Sequence, residues 1–190
     1  MSGMGKQAKV LSKAQERAAL VTARNDRDRL MVLLSVHAGL RAKEIACLTW
    51  SMVTDAEGAI SGALALPNSA SKGKTGGRTI PLSGDLVAAL RALQPGDGRI
   101  VRKVTGSPLT ANAVAVFFHR LYRSLGFEGA SSHSGRRTFI TRAARKIVEA
   151  GGSLRDVQQL AGHGSLSMTQ LYIEGSEDAK RRVVDLICGG

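Results

Sequence analysis

The segment "LAGHGSLSMTQLYIEG", residues 160–175, holds one of four histidines and one of two tyrosines in a chain of 190 residues. A Gly-His-Gly step suits neither helix nor strand, so His163 belongs in a turn. Tyr172 follows nine residues later, about two and a half helical turns on. Upstream, Ser153 with Asp156 forms a capping-box pattern that opens a short helix ending near Ala161. The stretch therefore reads as helix, tight turn, second short segment, carrying an imidazole and a phenol.

Working outward, the same signals recur. Ser12 with Gln15 predicts a helix from about Lys13, and Asn25 or Asp26 caps a second whose apolar face is Leu30, Leu33, Leu34 and His37. Gly39 suits its stop, and a third helix covers 42–48. "WSMV" at 50–53 reads as a short strand. "ALAL" and "RTIPL" read as two strands of a small antiparallel sheet, with Lys72 and Lys74 near the tip of the hairpin. Helices are predicted over 85–93, over 111–125 with Val114, Phe117, Phe118 and Leu121 on one face, and from a Ser131 or Ser132 cap to about Ala150. A last amphipathic helix covers 177–187. The fold class is α+β, mainly α-helical with a small antiparallel sheet. Residues 1–10 read as a basic flexible tail and 11–190 as one domain.

Charge narrows the partner. The chain has 27 Lys and Arg against 15 Asp and Glu, a net charge of +12, which points to a polyanion, nucleic acid before an anionic membrane. Seven basic and two acidic residues fall in 70–103, and seven against one in 117–146, so each run suits a phosphate backbone. Arg78, Arg137, Arg142 and Lys72 are the candidates for such contacts. Cys47 and Cys188 form neither a disulfide framework nor a metal motif. No signal peptide or membrane span is legible, so the expected compartment is the cytoplasm, at the nucleoid.

The chemistry lies in three further motifs. In "HSGRR", His133 and Arg136 share a face at a helix start, where anions are favoured. In "GLRAKEIACLTW", Arg41 sits between two apolar helices and must meet an anion or pair with Glu44. There is no acidic cluster for Mg²⁺, no Walker loop and no zinc pattern, so phosphodiester cleavage would proceed without metal or other cofactor, with cations supplying the charge. A phenol has a reference pKa of about 10 and needs such help to act as a nucleophile. Taken singly, Tyr172 also fits an ordinary packed tyrosine, and Arg41 a structural partner of Glu44.

Taken together, "GLRAKEIACLTW", "SKGKTGGRTIPL", "HSGRRTF" and "LAGHGSLSMTQLY" resemble, in order, the catalytic domain of the tyrosine recombinase or phage integrase family, over about residues 12–188. The resemblance implies the DNA breaking-and-rejoining fold and a site-specific recombinase acting on double-stranded DNA. It implies that Tyr172 attacks the scissile phosphate and that Arg41 and Arg136 bind its non-bridging oxygens. His133 accepts the tyrosine proton, His163 hydrogen-bonds the phosphate, and a hairpin lysine, Lys74 with Lys72 as alternative, protonates the leaving oxygen. Glu44 supports Arg41 from behind. Gly135 replaces a residue that is apolar in many relatives, which is expected to loosen that helix start. Relatives carry a helical core-binding domain of ~100 residues before the first arginine, and this domain is expected to be absent here. Assembly as a tetramer on paired sites, through residues 177–188, and an accessory DNA-binding protein are further expectations. Two other readings share these residues: a DNA-binding module that does not recombine, and a type IB topoisomerase.

Overall fold

The computed structural model describes residues 8–70, 77–93 and 95–172. Its elements are α1 (Lys13–Thr22), α2 (Asp26–His37), α3 (Ala42–Cys47), a 3-10 turn (Trp50–Met52), β1 (Ala63–Leu66), a second 3-10 turn (Asn68–Ala70) and β2 (Arg78–Pro81). Then come α4 (Gly84–Ala92), α5 (Ala111–Ser124), α6 (Ser134–Lys146), α7 (Leu154–Ala161) and α8 (Leu166–Gln170). Lys72, Lys74 and the helix expected over 177–187 lie outside the described residues.

Capping boxes form where the sequence placed them. Ser12 and Gln15 satisfy each other's backbone N–H groups at the start of α1, and Ser153 and Asp156 do so at α7. Asn25, rather than Asp26, is the N-cap of α2. That helix is the centre of the fold. α1, α3, α4 and α6 pack around it, and every residue from Leu30 to Val36 is buried. Its buried surface is therefore wider than the predicted stripe. His37 leaves that stripe to bond Glu16 (2.7 Å) and Ser83 (3.1 Å). α3 packs on α5, whose Val114, Phe118 and Leu121 are buried as expected, while Phe117 is only half-buried.

β1 and β2 pair antiparallel, with Leu64 opposite Ile80 and Leu66 opposite Arg78. Leu64, Leu66 and Ile80 are buried and tie the sheet to the main core. "WSMV" is not a strand. Ladder-like pairing at Thr49 and Trp50, whose neighbours are Arg99 and Gly98, is interrupted and resumes with a new partner at Val53 and Thr54, which face Ser61 and Ile60. The Trp50 carbonyl then accepts from the N–H groups of Val53 and Thr54, closing a turn.

α6 also departs from its predicted ends. Its N-cap is His133, which makes no side-chain cap. The serines work in reverse: Ser131 N–H donates to Ser134 Oγ, and His133 N–H donates to Ser131 Oγ. The helix ends at Lys146, four residues before Ala150. Gly135 does not loosen the start. It is the crossing point with α2, where an added Cβ would lie 2.8 Å from the Ser35 Cβ. Residues 8–11 are anchored rather than free: Lys9 N–H bonds the Gly129 carbonyl and Leu11 N–H bonds Thr138 Oγ1. No helix among the described residues is long and apolar enough to cross a membrane.

Candidate active site

Two buried clusters position the site. The first is centred on Glu44, in the first turn of α3 and 1% exposed. Its carboxylate accepts four hydrogen bonds: from Arg41 N–H (2.8 Å), Arg41 Nη1 (3.0 Å), Arg78 Nη1 (2.9 Å) and Arg78 Nη2 (3.0 Å). Burial alone would raise its pKa. The bonds and charge of Arg78, followed by the backbone bond and charge of Arg41, outweigh that and hold the carboxyl below its ordinary value. Arg41 is thereby fixed at one terminal nitrogen while its side chain stays 23% exposed. Glu44 does support Arg41, and it supports Arg78 as well.

Arg78 itself corrects an expectation. Its basic stretch predicts a contact with the DNA backbone, yet its side chain is 8% exposed and both terminal nitrogens bond Glu44. It also packs on Gly162, where an added Cβ would lie 2.7 Å from Nη1. Gly162 has φ +60 and is the left-handed C-cap of α7. The glycine before His163 thus serves two needs, the chain reversal and the approach of Arg78.

The second cluster is centred on Arg136, in the first turn of α6 and 4% exposed. Nη1 donates to the Gly39 carbonyl (2.8 Å) and Nη2 to the Ala161 carbonyl (2.6 Å). These bonds join the end of α2, the start of α6 and the end of α7. Burial, then the charge of Arg41, lowers its pKa to about 10, so it remains a cation at neutral pH. Two carbonyls use only part of its five-donor fork.

His163 follows Gly162 and is 6% exposed. Its Nδ1 lies 2.9 Å from Thr169 Oγ1 on α8. Burial, then the charges of Arg136, Arg41 and Arg78, pushes its pKa down to about 4. At neutral pH the ring is therefore uncharged. Tyr172 lies just past α8, half-buried, its ring stacked on His163 at 5.5 Å between centroids and 27° between planes. The Arg137 guanidinium stands 5.9 Å from the same ring's centroid.

Arg41, His133, Arg136, Arg137, His163 and Tyr172 line one cavity of about 260 Å³. Residues separated by up to 131 positions are thus brought to one point. A second cavity of about 490 Å³ adjoins His163, between β2 and α7, and includes Arg155 and Gln159. Arg142 is not part of either. It bonds Glu16 and the Leu11 carbonyl, so it ties α6 to α1. Among the described residues no group of three or more His, Cys, Asp or Glu is placed to hold a metal ion.

The Phage integrase family model matches residues 6–178. The chain belongs to the phage integrase family. Among curated members, the tyrosine recombinase XerC of Xanthomonas campestris pv. campestris is 31% identical over 153 residues, covering 77% of this chain and 44% of the relative. XerC of Bradyrhizobium diazoefficiens is 37% identical over 79 residues, 41% of this chain and 23% of the relative. The chain thus spans less than half the length of these phage integrase family members. The fold is also that of the solved family structures. The Tn1549 transposon integrase in complex with a circular intermediate DNA superposes with TM-score 0.74 at 20% identity, over 98% of this chain and 68% of that one. A lambda integrase dimer bound to a COC′ core site gives 0.69 at 23%, over 92% and 50%.

Two features of this site escaped the sequence. The Thr169–His163 bond has no local signature, since it depends on how the turn at 162–165 folds back. Arg137, grouped with DNA contacts, faces the tyrosine ring because the residue after Arg136 lies about 100° round the helix.

Proposed function

We propose that the chain is the catalytic domain of a site-specific DNA recombinase that cuts and rejoins double-stranded DNA through a 3′-phosphotyrosyl intermediate. The observation that carries this reading is the convergence of Arg41, His133, Arg136, His163 and Tyr172 on one cavity. Tyr172 Oη attacks phosphorus as the bond to the 5′-oxygen breaks. His133 takes the phenolic proton. The free donors of Arg41 and Arg136 stabilise charge on the non-bridging oxygens, and His163 donates to the same phosphate. Lys74, or Lys72, returns a proton to the departing 5′-oxygen. Rejoining is the reverse, with a 5′-hydroxyl attacking the phosphotyrosine. In this reading the cations supply the charge compensation and no metal is required. Arg137 and Lys72 contact DNA near the site.

The full reaction pairs two DNA sites, and we propose a tetramer on them, assembled through residues 177–188, with an accessory DNA-binding protein assisting. The setting is the cytoplasm of a bacterium or of its phage-infected cell.

A nicked suicide duplex tests the reading. Wild type should give a denaturant-resistant protein–DNA adduct, and Tyr172→Phe should give none while keeping affinity within about three-fold, because phosphate contacts dominate binding. Binding without any adduct from wild type would favour the DNA-binding module. Relaxation of supercoiled plasmid without recombinant product would favour the topoisomerase.

A further inference from the structure

Thr169 is fully buried, at 0% exposure, and its Oγ1 lies 2.9 Å from His163 Nδ1. A helical threonine commonly turns its hydroxyl back to a carbonyl of the preceding turn. Here the hydroxyl is directed to the imidazole, and no other hydrogen-bond partner of Oγ1 is found among the described residues. The distance alone fits either neutral tautomer, but the hydroxyl proton separates them. With the ring proton on Nδ1, the ring donates to Oγ1 and the buried hydroxyl proton has no acceptor. With the ring proton on Nε2, the hydroxyl donates to Nδ1 and both groups are satisfied. An unmade buried hydrogen bond biases such a choice by roughly tenfold to a hundredfold. The imidazolium form leaves the same hydroxyl proton unmatched. It also adds a positive charge near Arg136 on α6, Arg41 at the N-cap of α3 and Arg78 on β2, with Glu44 already engaged by Arg41 and Arg78. The low pKa of His163, about 4, agrees with that disadvantage.

We infer that Thr169 is a positioning residue that holds His163 as the neutral Nε2–H tautomer, so that the ring presents a hydrogen-bond donor to an anion in the cavity. Nε2 has no hydrogen-bond partner among the described residues, and the ring borders the cavity that also holds Arg41, Arg136 and Tyr172. The tautomer matters because a bare Nε2 lone pair would repel a phosphate oxygen, whereas Nε2–H binds it. The functional half of this inference rests on His163 being the phosphate donor of the proposed recombinase. The tautomer half rests on geometry alone.

The test uses the full chain labelled with ¹⁵N-histidine. Long-range proton–nitrogen correlation distinguishes the tautomers directly, and His163→Gln identifies the resonances among the four histidines. Wild type should show a bare Nδ1 and a protonated Nε2, with no titration between pH 8 and 5. Thr169→Val keeps the shape and removes the hydroxyl, so Nδ1–H should become populated. Thr169→Ser should keep the wild-type pattern. In single-turnover cleavage of the nicked duplex, Thr169→Val should be slower by about tenfold with unchanged DNA affinity, and Thr169→Ser should recover most of the rate. A protonated Nδ1 in wild type overturns the inference, even if the valine variant fails to fold. So does a valine variant with an unchanged tautomer. A tautomer switch with an unchanged cleavage rate overturns the functional half. The predicted tautomer response in a protein that forms no adduct at all would sink the recombinase reading and leave the structural role of Thr169 standing.

Discussion

Glu44→Gln is the sharpest probe of how the site is held. The glutamate is 1% exposed and accepts four hydrogen bonds, two of them from a guanidinium that is itself 8% exposed. A glutamine has one accepting oxygen, and its NH₂ group would face N–H donors. At least two of the four bonds are lost, and Arg78 keeps its charge without a counter-ion. Removing one partner of a buried pair costs about 3–5 kcal/mol, a large share of the roughly 5–15 kcal/mol that holds a domain together. Urea unfolding followed by the single tryptophan, Trp50, which is 8% exposed, would report it. With a slope of about 3 kcal/mol per M, the midpoint should fall by about 1–1.7 M at pH 7.

The same carboxylate sets an acid dependence. Its folded pKa is lowered from 4.5, so its contribution is complete above that value and disappears as pH falls through the lower folded value. The wild-type and glutamine stabilities should therefore converge on acidification. Adding Arg78→Met to Glu44→Gln removes the stranded charge and should restore part of the midpoint. A midpoint shift below about 0.3 M at pH 7, or a gap that widens in acid, would refute the view that Glu44 is the anion on which Arg41 and Arg78 are built.

Three other outcomes are expected. Gly135→Ala should lower stability by about 1–3 kcal/mol through overpacking against Ser35, and Ser35→Gly in that background should recover part of it; thermal melts of the three proteins decide this. Arg137→Gln should reduce the salt slope of DNA binding by about one, whereas Arg142→Gln should leave the slope unchanged and instead lower the melting temperature, since Arg142 bonds Glu16 and the Leu11 carbonyl. Arg136→Lys should lose most single-turnover cleavage although charge is kept, because a lysine cannot reach the Gly39 and Ala161 carbonyls and still offer a planar fork to phosphate; wild-type cleavage should persist in EDTA.

What the sequence settled alone was local. Ser12 with Gln15 and Ser153 with Asp156 name their helices because both partners of a capping box lie three residues apart. Beyond that, the resemblance of four motifs to a known family made Arg41, His133, Arg136, His163, Tyr172 and a hairpin lysine legible as one set, and the structure gathers the first five on one cavity. What tertiary structure decided was where each charge goes. Arg78 and Arg142 look like surface cations in a basic stretch, yet their carboxylate partners are 34 and 126 residues away. "WSMV" has strand-like residues but closes a turn at the Trp50 carbonyl, and pairing changes partner from Arg99 and Gly98 at Thr49 and Trp50 to Ser61 and Ile60 at Val53 and Thr54. Thr169 became a partner of His163 only when the turn between α7 and α8 folded back. Hydrogen-bond patterns within one helical turn are written in adjacent residues. The pairing of a buried arginine depends on which distant polar group the packing of helices brings within 3 Å, and for Arg78 and Arg142 no single stretch of sequence contains both halves of the pair.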